Sequence, residues 1–456
     1  MPQKLGQHAV VIGGSIAGLM TARVLSDHFD RVTIFERDQL EDGAAIHKST
    51  PQGNHVHALL GGGEQIMTAL FPGFGAELEE LGAVPWKAGC DAVFYSPVGK
   101  SYNLTGSVRE PRDLGLVGHV MSRGLLEYAL RRRAIALPNV RLQMDTAVEE
   151  LTHENGRVTG VRIRSSEESE SVTADLVVDA GGRGSRAARW LGAMGVPAPE
   201  ETTIGVDFAY TSTKYKKPAS AKGLEPIILV GGPPPKYTNG ALLEEIENNE
   251  WHLSVAGRFG QYPPTDEKGF LEFVKALPSP IIYDLIKHAE RIAEISHHRF
   301  PTSILRHYER IANFPDGLLI LGDAVCSFNP VYGQGMTSSA MQAWALQTLL
   351  KDRAEQNHGL AQLASAFFPR AMEVISTPWT LAANSDFAYP QTTGERPPAM
   401  EEGFRYFAAL DALQAEDPSV QRVVLEVFQL IKPLSAFWDD SIRDRVFAKM
   451  QQRASG

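Results

Sequence analysis

The first 36 residues of the chain constrain its fold more than any other segment. Residues 9–12 form a short, continuous apolar run, which is typical of a parallel strand buried on both faces. A glycine-rich turn over 13–18 follows, and apolar residues then recur at helical spacing as far as Leu25. A second apolar run, 32–35, ends at Glu36. This order predicts a dinucleotide-binding strand–turn–helix–strand unit; the alternative is an ordinary βαβ turn.

Several positions of this unit have a physical role in dinucleotide binding. Gly13 lets the chain turn tightly, and Gly18 lets the helix pack close to the sheet. The helix N-terminus offers free N–H groups and the positive end of its dipole to a pyrophosphate. At the end of the second strand, the Glu36 carboxylate can accept hydrogen bonds from ribose hydroxyls. Ser15 departs from the usual pattern, because it replaces the middle glycine of G-x-G-x-x-G.

The composition excludes several classes of protein. A chain of 456 residues is long enough for two or three domains or one large composite. Its net charge of −10 and the lack of a basic stripe argue against a nucleic-acid partner. Two cysteines, Cys90 and Cys326, provide no disulfide framework and fit a reducing compartment. No signal peptide or transmembrane run is recognisable, so we expect a cytoplasmic protein.

The rest of the chain predicts further layers. Residues 140–148 and 160–164 have strand character, and Asn155-Gly156 between them is a strong hairpin turn. Residues 201–260 alternate between apolar and polar and carry aromatic side chains, which predicts a separate, mostly antiparallel sheet. Residues 351–456 are predicted to be largely helical.

Three apolar strands end in an acidic residue beside or near glycine. These acids are Glu36, Asp179 and Asp323. The carboxyl ends of parallel strands meet at one edge of a sheet, so a single bound cofactor could gather all three. The alternative is that each acid forms a turn or caps a helix, which is the commoner use of Asp beside Gly. We favour the cofactor interpretation.

A basic residue and three histidines complete the polar candidates. Arg123 occupies the first turn of a predicted helix capped by Ser122, where a cation opposes the helix dipole, so we expect it to have an anionic partner. His47, His55 and His57 lack the carboxylate or cysteine neighbours of a metal site, so we expect no metal. We predict that these histidines face a bound cofactor or substrate.

Together these motifs resemble the single-component, FAD-dependent monooxygenases of the para-hydroxybenzoate hydroxylase fold. The resemblance covers roughly residues 5–350. It is carried by the 13–18 turn with Glu36, by Asp179-Ala-Gly-Gly-Arg183, by Gly322-Asp323-Ala324, and by Pro330 with Gly333-Gln-Gly-Met336. Within that family, residues 51–57 and 329–335 look most like a branch of natural-product hydroxylases and epoxidases that includes the epoxidases of polyether biosynthesis.

The resemblance implies an α/β fold with three parts. A Rossmann-like FAD-binding domain holds an inserted, mostly antiparallel β-sheet substrate domain, and helices follow at the C-terminus. The expected ranges are 1–80, 113–200 and 300–350 for the composite FAD-binding domain, 81–112 and 201–299 for the substrate domain, and 351–456 for the helical region.

The resemblance also implies roles for individual residues. The residues expected to bind FAD are Gly13, Ser15, Ile16, Ala17, Gly18, Glu36, Arg37, Lys48, Arg123, Val148, Asp179, Asp323, Pro330, Gly333, Gly335 and Met336. The substrate-pocket candidates, which could equally be plain sheet core, are His57, Phe208, Tyr210, Leu229, Trp251 and Leu253. Asp179 is offset by one residue from the family's usual Asp-Gly motif, and no general acid or base is identifiable.

The implied function is oxygen transfer to a lipophilic, natural-product-like substrate. One atom of O2 would be inserted, as hydroxylation or epoxidation, through a flavin C4a-hydroperoxide, with NADPH or NADH as transient reductant. Three alternatives stay open: a reductase or dehydrogenase acting on isoprenoids, a flavin halogenase, and a flavin-binding protein that acts by interaction through residues 351–456. A flavin halogenase would need a Trp-x-Trp-x-Ile-Pro segment, which is absent from this sequence. Peripheral membrane contact through the C-terminal helices is a further alternative.

Overall fold

The computed structural model describes residues 4–46, 50–165, 168–398 and 400–455. The strands are β1 Gly6–Ile12, β2 Phe29–Phe35, β3 Val84–Lys87, β4 Ala92–Ser96, β5 Gly99–Ser101, β6 Val117–Val120, β7 Val140–Gln143, β8 Ala147–Glu154, β9 Arg157–Arg164, β10 Ser169–Thr173, β11 Leu176–Asp179, β12 Glu200–Lys216, β13 Ile227–Val230, β14 Asn239–Ile246, β15 Glu250–Arg258, β16 Ser296–His307, β17 Leu318–Ile320 and β18 Cys326–Ser327. The α-helices are α1 Ile16–Ser26, α2 Gly61–Leu70, α3 Phe74–Glu80, α4 Arg123–Ile135, α5 Ala187–Ala193, α6 Glu267–Lys275, α7 Ile281–Ile286, α8 Gly335–Glu355, α9 Leu363–Asp386, α10 Met400–Glu416, α11 Pro418–Phe428 and α12 Asp440–Ser455.

A five-stranded parallel sheet forms the first of two main layers. Its strand order is β17-β11-β1-β2-β7, with the N-terminal strand in the middle. Its apolar runs are buried on both faces, as the sequence predicts for such strands. Ile12 lies opposite both Phe35 and Asp179, and Asp179 lies opposite Ile320. The strands that lead to the three acids therefore end at one edge of the sheet. This confirms the prediction that these strand ends meet.

An eight-stranded sheet forms the second layer, in the order β18-β16-β12-β15-β14-β13-β4-β5. Every pairing in it is antiparallel except that of β13 with β4. Alternate side chains point to opposite faces. We call the face that carries Tyr210, Ser212, His252 and Ser254 the inner face, and the opposite face, which α6 and α7 cover, the outer face.

Two smaller sheets and a set of helices complete the fold. β8, β9 and β10 form an antiparallel sheet, and β3 pairs with β6. The predicted hairpin turn is confirmed, because Asn155 and Gly156 both have positive φ, at 49° and 77°. Residues 363–455 are mostly helical, also as predicted. No helix in the described ranges has the length and apolar character that a bilayer crossing requires.

The chain passes directly from one main sheet to the other just before α8. β17 ends the parallel sheet at Ile320, and β18 then pairs with Ile304 and Leu305 of β16, at the edge of the eight-stranded sheet. β16 runs from Ser296 to His307, so the expected domain limit at residue 300 falls inside a strand. The three-part division of the chain stays a proposal.

Candidate flavin and substrate site

The glycine turn between β1 and α1 has the geometry that a dinucleotide-binding turn needs. Gly13 has a φ of +100°, in the left-handed region that favours glycine. A Cβ on Gly18 would lie 1.8 Å from the carbonyl oxygen of Gly13, so no side chain fits there. Ser15 is the N-cap of α1 but makes no side-chain capping hydrogen bond. The first N–H groups of α1 therefore have no side-chain cap, and Ile16 and Ala17 form this first turn.

Glu36 supports the turn from the next strand. Its buried carboxylate accepts a hydrogen bond from the Gly14 N–H at 2.7 Å and one from the Asp38 N–H at 2.9 Å. Carboxylate oxygens have further lone pairs, so these contacts leave capacity for ribose hydroxyls. Arg37, the next residue, is exposed. The Glu36 carbonyl oxygen accepts from the Thr146 N–H at 2.9 Å, close in the chain to Val148.

Arg123 has the anionic neighbour that the sequence led us to expect. The predicted cap is present, since Ser122 Oγ accepts from the Leu125 N–H. Arg123 Nη2 donates to Ser15 Oγ at 2.8 Å and approaches Glu127 Oε2 at 3.4 Å. Ser15 Oγ in turn donates to Glu127 Oε2 at 2.7 Å. Sequence analysis missed Glu127, although its spacing of four residues from Arg123 on a helix was a usable signal.

Asp179 is engaged within its own loop. It is 0% exposed, and it accepts hydrogen bonds from the Gly181 N–H at 2.8 Å and from Ser185 Oγ at 2.5 Å. Burial raises the pKa of this carboxyl group. Both carboxylate oxygens are thus used to build the turn, as in the alternative interpretation of these acids. A flavin contact through Asp179 stays a prediction.

Asp323 lies where the third strand end meets the N-terminus of α8. Burial raises the pKa of its carboxyl group, while Arg123 and Arg183 lower it. A Cβ on Gly335, the first residue of α8, would lie 3.7 Å from Asp323 Oδ1. The N-cap residue of α8, Gln334, makes no side-chain capping hydrogen bond. A second helix N-terminus without a side-chain cap therefore lies beside a partly buried acid.

The loop that precedes α8 packs against the segment before α2. A Cβ on Gly333, whose φ is +65°, would lie 2.9 Å from the Cβ of Ala58. Pro330 and Tyr332 belong to one short 3-10 turn, and Met336 is buried in the first turn of α8. The expected flavin-facing residues Pro330, Gly333 and Gly335 are therefore held in one short segment of chain.

Residues 51–57, the histidine loop, contact the inner face, and His57 lies near Arg123, which donates to Ser15 of the glycine turn. His57 Nδ1 lies 2.8 Å from the carbonyl oxygen of His55, and burial, with a smaller contribution from Arg123, lowers its pKa to about 3. His55 Nδ1 lies 2.7 Å from Ser212 Oγ, and His252 Nε2 lies 3.1 Å from the Asn54 carbonyl oxygen. Burial lowers the pKa of each of these two rings to about 3 as well. All three rings are therefore neutral at pH 7.

The structure separates the substrate-pocket candidates into two groups. Phe208, Tyr210 and Leu229 lie on the inner face, where the His55 ring packs edge-on against Tyr210 with centroids 4.3 Å apart. Trp251 and Leu253 lie on the outer face and pack in the core beneath α6 and α7. The strand register is the reason, because their neighbours His252 and Ser254 occupy the inner positions of β15. Trp251 and Leu253 therefore belong to the sheet core.

A buried ion pair joins the inner face to the loop before α8. Arg258 Nη1 lies 2.8 Å from Asp386 Oδ1, at the end of α9. The same oxygen accepts from Asn329 Nδ2 at 2.9 Å and from the Tyr332 hydroxyl at 2.7 Å. Sequence analysis found none of these contacts, since they join positions far apart in the chain.

These residues fit an FAD cofactor. The Arg123 Nε atom is buried and has no hydrogen-bond partner among the described residues, which leaves one cationic donor for a phosphate. Two helix N-termini without side-chain caps, those of α1 and α8, converge with the glycine turn at one edge of the parallel sheet. Lys48, another expected contact, lies outside the described residues. No cluster of metal-binding residues is present in the described ranges.

Comparison with known proteins identifies the family. A family model described as an FAD binding domain matches residues 118–366, more than half of the chain. Protein Rv3254 of Mycobacterium tuberculosis is 34% identical over 397 residues, which is 85% of this chain and 82% of that protein. Squalene epoxidase 2 of Arabidopsis thaliana is 24% identical over 83% of this chain. The matched region covers only 60% of the length of that relative. The chain therefore belongs to the FAD binding domain family.

Solved structures agree on the fold. The p-nitrophenol 4-monooxygenase of Pseudomonas putida superposes with a TM-score of 0.64 over 95% of this chain and 100% of its own, at 17% identity. A flavin-dependent brominase gives a TM-score of 0.69 over 99% of both chains, at 14% identity. The fold is thus that of para-hydroxybenzoate hydroxylase, as the sequence predicts. With its sequence relatives, this makes the chain an FAD-dependent oxidoreductase of the monooxygenase type.

Proposed function

We propose that this protein is an NAD(P)H-dependent monooxygenase that inserts one oxygen atom from O2 into a lipophilic substrate, by hydroxylation or epoxidation. One observation carries the proposal. The convergent helix N-termini, which suit FAD, lie one short loop away from an inner face whose apolar side chains and neutral histidines suit an apolar substrate. Relatives named as squalene epoxidases support epoxidation in particular.

The residues at the edge of the parallel sheet would hold the cofactor. The α1 N-terminus and Arg123 would bind the pyrophosphate, and Glu36 would accept from the adenosine ribose. N–H groups at the α8 N-terminus would stabilise negative charge near the flavin ring. Bound FAD supplies hydride acceptance from the nicotinamide and the activation of O2.

The inner face would bind the substrate and exclude water. Phe208, Tyr210 and Leu229 offer an apolar surface, and the histidine loop covers part of it. His57 uses Nδ1 for the His55 carbonyl oxygen, so its neutral ring keeps Nε2 as a proton acceptor. Such a site receives apolar molecules without burying a new charge.

Rapid-mixing kinetics and isotope labelling test the reaction. The protein is purified, its FAD content is measured, and the anaerobically reduced form is mixed with O2 while visible absorbance is recorded. We expect a transient species before the oxidised-flavin spectrum returns, and label from ¹⁸O2 in the product formed from a lipophilic alkene or phenol. Direct reoxidation without label in any product would favour the reductase or dehydrogenase. Initial rates with NADH and NADPH identify the reductant.

A pair of arginine variants tests the cofactor site. Arg123→Leu should weaken FAD binding about 10- to 100-fold, because it removes a buried charge-assisted donor. Arg132→Leu, on the outer surface of the same helix and half exposed, should leave FAD affinity unchanged. Equal FAD dissociation constants for the two variants, measured by fluorescence titration, would remove Arg123 from the site. The sequence relatives are named as epoxidases and monooxygenases, so we do not propose halogenation.

A further inference from the structure

A buried carboxyl group on the inner face has no described role in the flavin site. Glu244 lies on β14 and is only 2% exposed. In the strand register it stands between Ile227 of β13 and His252 of β15. Its Oε2 atom is buried and has no hydrogen-bond partner among the described residues. Buried polar groups are normally hydrogen-bonded, so an unpaired carboxyl oxygen in this place needs an explanation.

The surroundings of Glu244 are apolar. Leu242 and Ile246 flank it on its own strand, and Leu229 of β13 lies on the same face. These side chains form a small cluster with Trp86 and Val120 of the two-stranded sheet. Trp86 carries the one hydrogen-bond donor among these side chains, its indole N–H, and no hydrogen bond from it reaches the buried Oε2 atom of Glu244. The fold therefore gains no contact from the acid at this position and bears the cost of burying it.

Glu244 is a neutral carboxylic acid at pH 7. Burial raises its pKa to about 8. In the strand register its titratable neighbour is His252 of β15, whose pKa burial lowers to about 3. Lys214, on the same face of β12, lies 3.8 Å from Glu250. A protonated carboxyl group has one O–H donor and a free carbonyl acceptor.

We propose that Glu244 is the polar recognition point of the substrate pocket, where its protonated side chain hydrogen-bonds the single carbonyl or hydroxyl oxygen of an otherwise apolar substrate. This assignment rests on the proposed function and narrows its substrate class. The neighbouring His252 bonds the Asn54 carbonyl oxygen, and the same loop continues to His57, near Arg123. A substrate held at Glu244 would therefore lie along the inner face, towards the flavin site.

Calorimetric binding of a long-chain ketone, 2-undecanone, tests the assignment on the FAD-loaded protein. Glu244→Leu should weaken binding about tenfold, because one hydrogen bond is lost, whereas Glu244→Gln, which keeps a donor, should stay within about threefold of the wild type. Glu245→Gln is the matched control. Glu245 is the next residue of β14, but it points to the other face and pairs with Lys217. The control should bind the ketone as the wild type does.

The pH dependence of binding gives a second readout. Ketone affinity of the wild type should fall as the pH rises through about 8, where Glu244 loses its proton, and Glu244→Gln should flatten that profile. The infrared carbonyl band of a protonated carboxyl group should be present at pH 7 in the wild type and absent from Glu244→Gln. Tighter binding of dodecylamine than of the ketone would overturn the neutral-oxygen assignment.

Failure of this assignment is distinguishable from failure of the proposed function. All variants should retain FAD, and Glu244→Leu should melt no lower than the wild type, since the acid makes no stabilising contact. Equal ketone affinity in Glu244→Leu and the wild type, or no ketone binding by the FAD-loaded wild type, would overturn the role of Glu244. Absence of ¹⁸O label from every product would instead overturn the monooxygenase reaction, whatever the binding results.

Discussion

The inner and outer faces of the eight-stranded sheet come from the same strands but have opposite chemistry. On the outer face, Trp251 and Leu253 join Phe270 and Val274 of α6 in an apolar cluster. On the inner face, the neighbouring positions hold buried polar groups such as His252. Alternate residues of one strand therefore build an apolar core on one side and place buried polar groups on the other.

The difference shows where the molecule gives up stability. Apolar side chains on the outer face gain free energy when they leave water. The buried rings and acid of the inner face lose hydration, and they persist as neutral groups or within one buried ion pair. A face that costs free energy in the folded state is a reasonable place to look for function.

The largest effect should come from the ion pair at the edge of the inner face. Asp386→Ala leaves the Arg258 guanidinium, which is 5% exposed, without its carboxylate. We expect a loss of about 3–5 kcal/mol in the free energy of unfolding, measured in urea. FAD affinity should fall as well, because Asn329 and Tyr332 lose the acceptor that holds their loop.

An exposed ion pair provides the control. Glu200 and Arg310 lie 2.6 Å apart, with more than half of each side chain exposed. Glu200→Ala should therefore cost at most about 1 kcal/mol. Equal costs for the two substitutions would show that the buried pair does not anchor the inner face.

A leucine on each face tests the contrast directly. Leu253→Ala, at a fully buried outer position, should cost about 2–4 kcal/mol, because it leaves a cavity in the core. Leu229→Ala, at a half-buried inner position, should cost less than that but raise KM for an apolar substrate. If instead Leu253→Ala changed KM without lowering stability, our division of the two faces would be wrong.

The inner face should also make the protein sensitive to acid. The pKa values of His55, His57 and His252 are lowered by burial to about 3, so between pH 3 and 6.5 the folded state binds fewer protons than the unfolded state. Their contribution to stability is complete above pH 6.5 and is lost as the pH falls. We expect a loss on the order of 2 kcal/mol between pH 6.5 and 5.5. The melting temperature of the wild type and of His252→Gln is measured as a function of pH. It should fall less steeply with decreasing pH in the variant.

The smallest effect should come from a single hydroxyl group. Ser254 Oγ accepts from the Val56 N–H at 3.0 Å and is 2.5 Å from Ser212 Oγ, and so holds the histidine loop on the inner face. Ser254→Ala should cost about 1 kcal/mol. Hydrogen exchange should increase at residues 51–57 and stay unchanged in α6. Faster exchange in α6 instead would mean that the hydroxyl supports the whole sheet.

Local sequence patterns were sufficient to predict several turns and one helix cap. The turn at Gly13 and Gly18, the hairpin at Asn155-Gly156 and the cap at Ser122 each depend on a few neighbouring residues. Such signals are readable because φ, close packing and capping are set within one or two turns of chain.

The inner face could not be derived in this way. Which of two adjacent residues of β15 lies on the inner face depends on its register with β12, so the sequence alone left Trp251 and Leu253 open between the pocket and the sheet core. Glu244 looked like an ordinary strand residue, because its burial comes from β3 and β6, more than a hundred positions earlier in the chain. Asp386 meets Arg258 across a similar distance in sequence.

The direct passage from β17 to β18 restricts how the enzyme can open. Only five residues separate Ile320, in the parallel sheet, from Cys326, at the edge of the eight-stranded sheet. The two sheets are thus tied by a short tether beside Asp323, which leaves little slack for one to swing away from the other. We therefore expect substrate entry to depend on smaller parts, such as the histidine loop, which a few side-chain hydrogen bonds hold on the inner face.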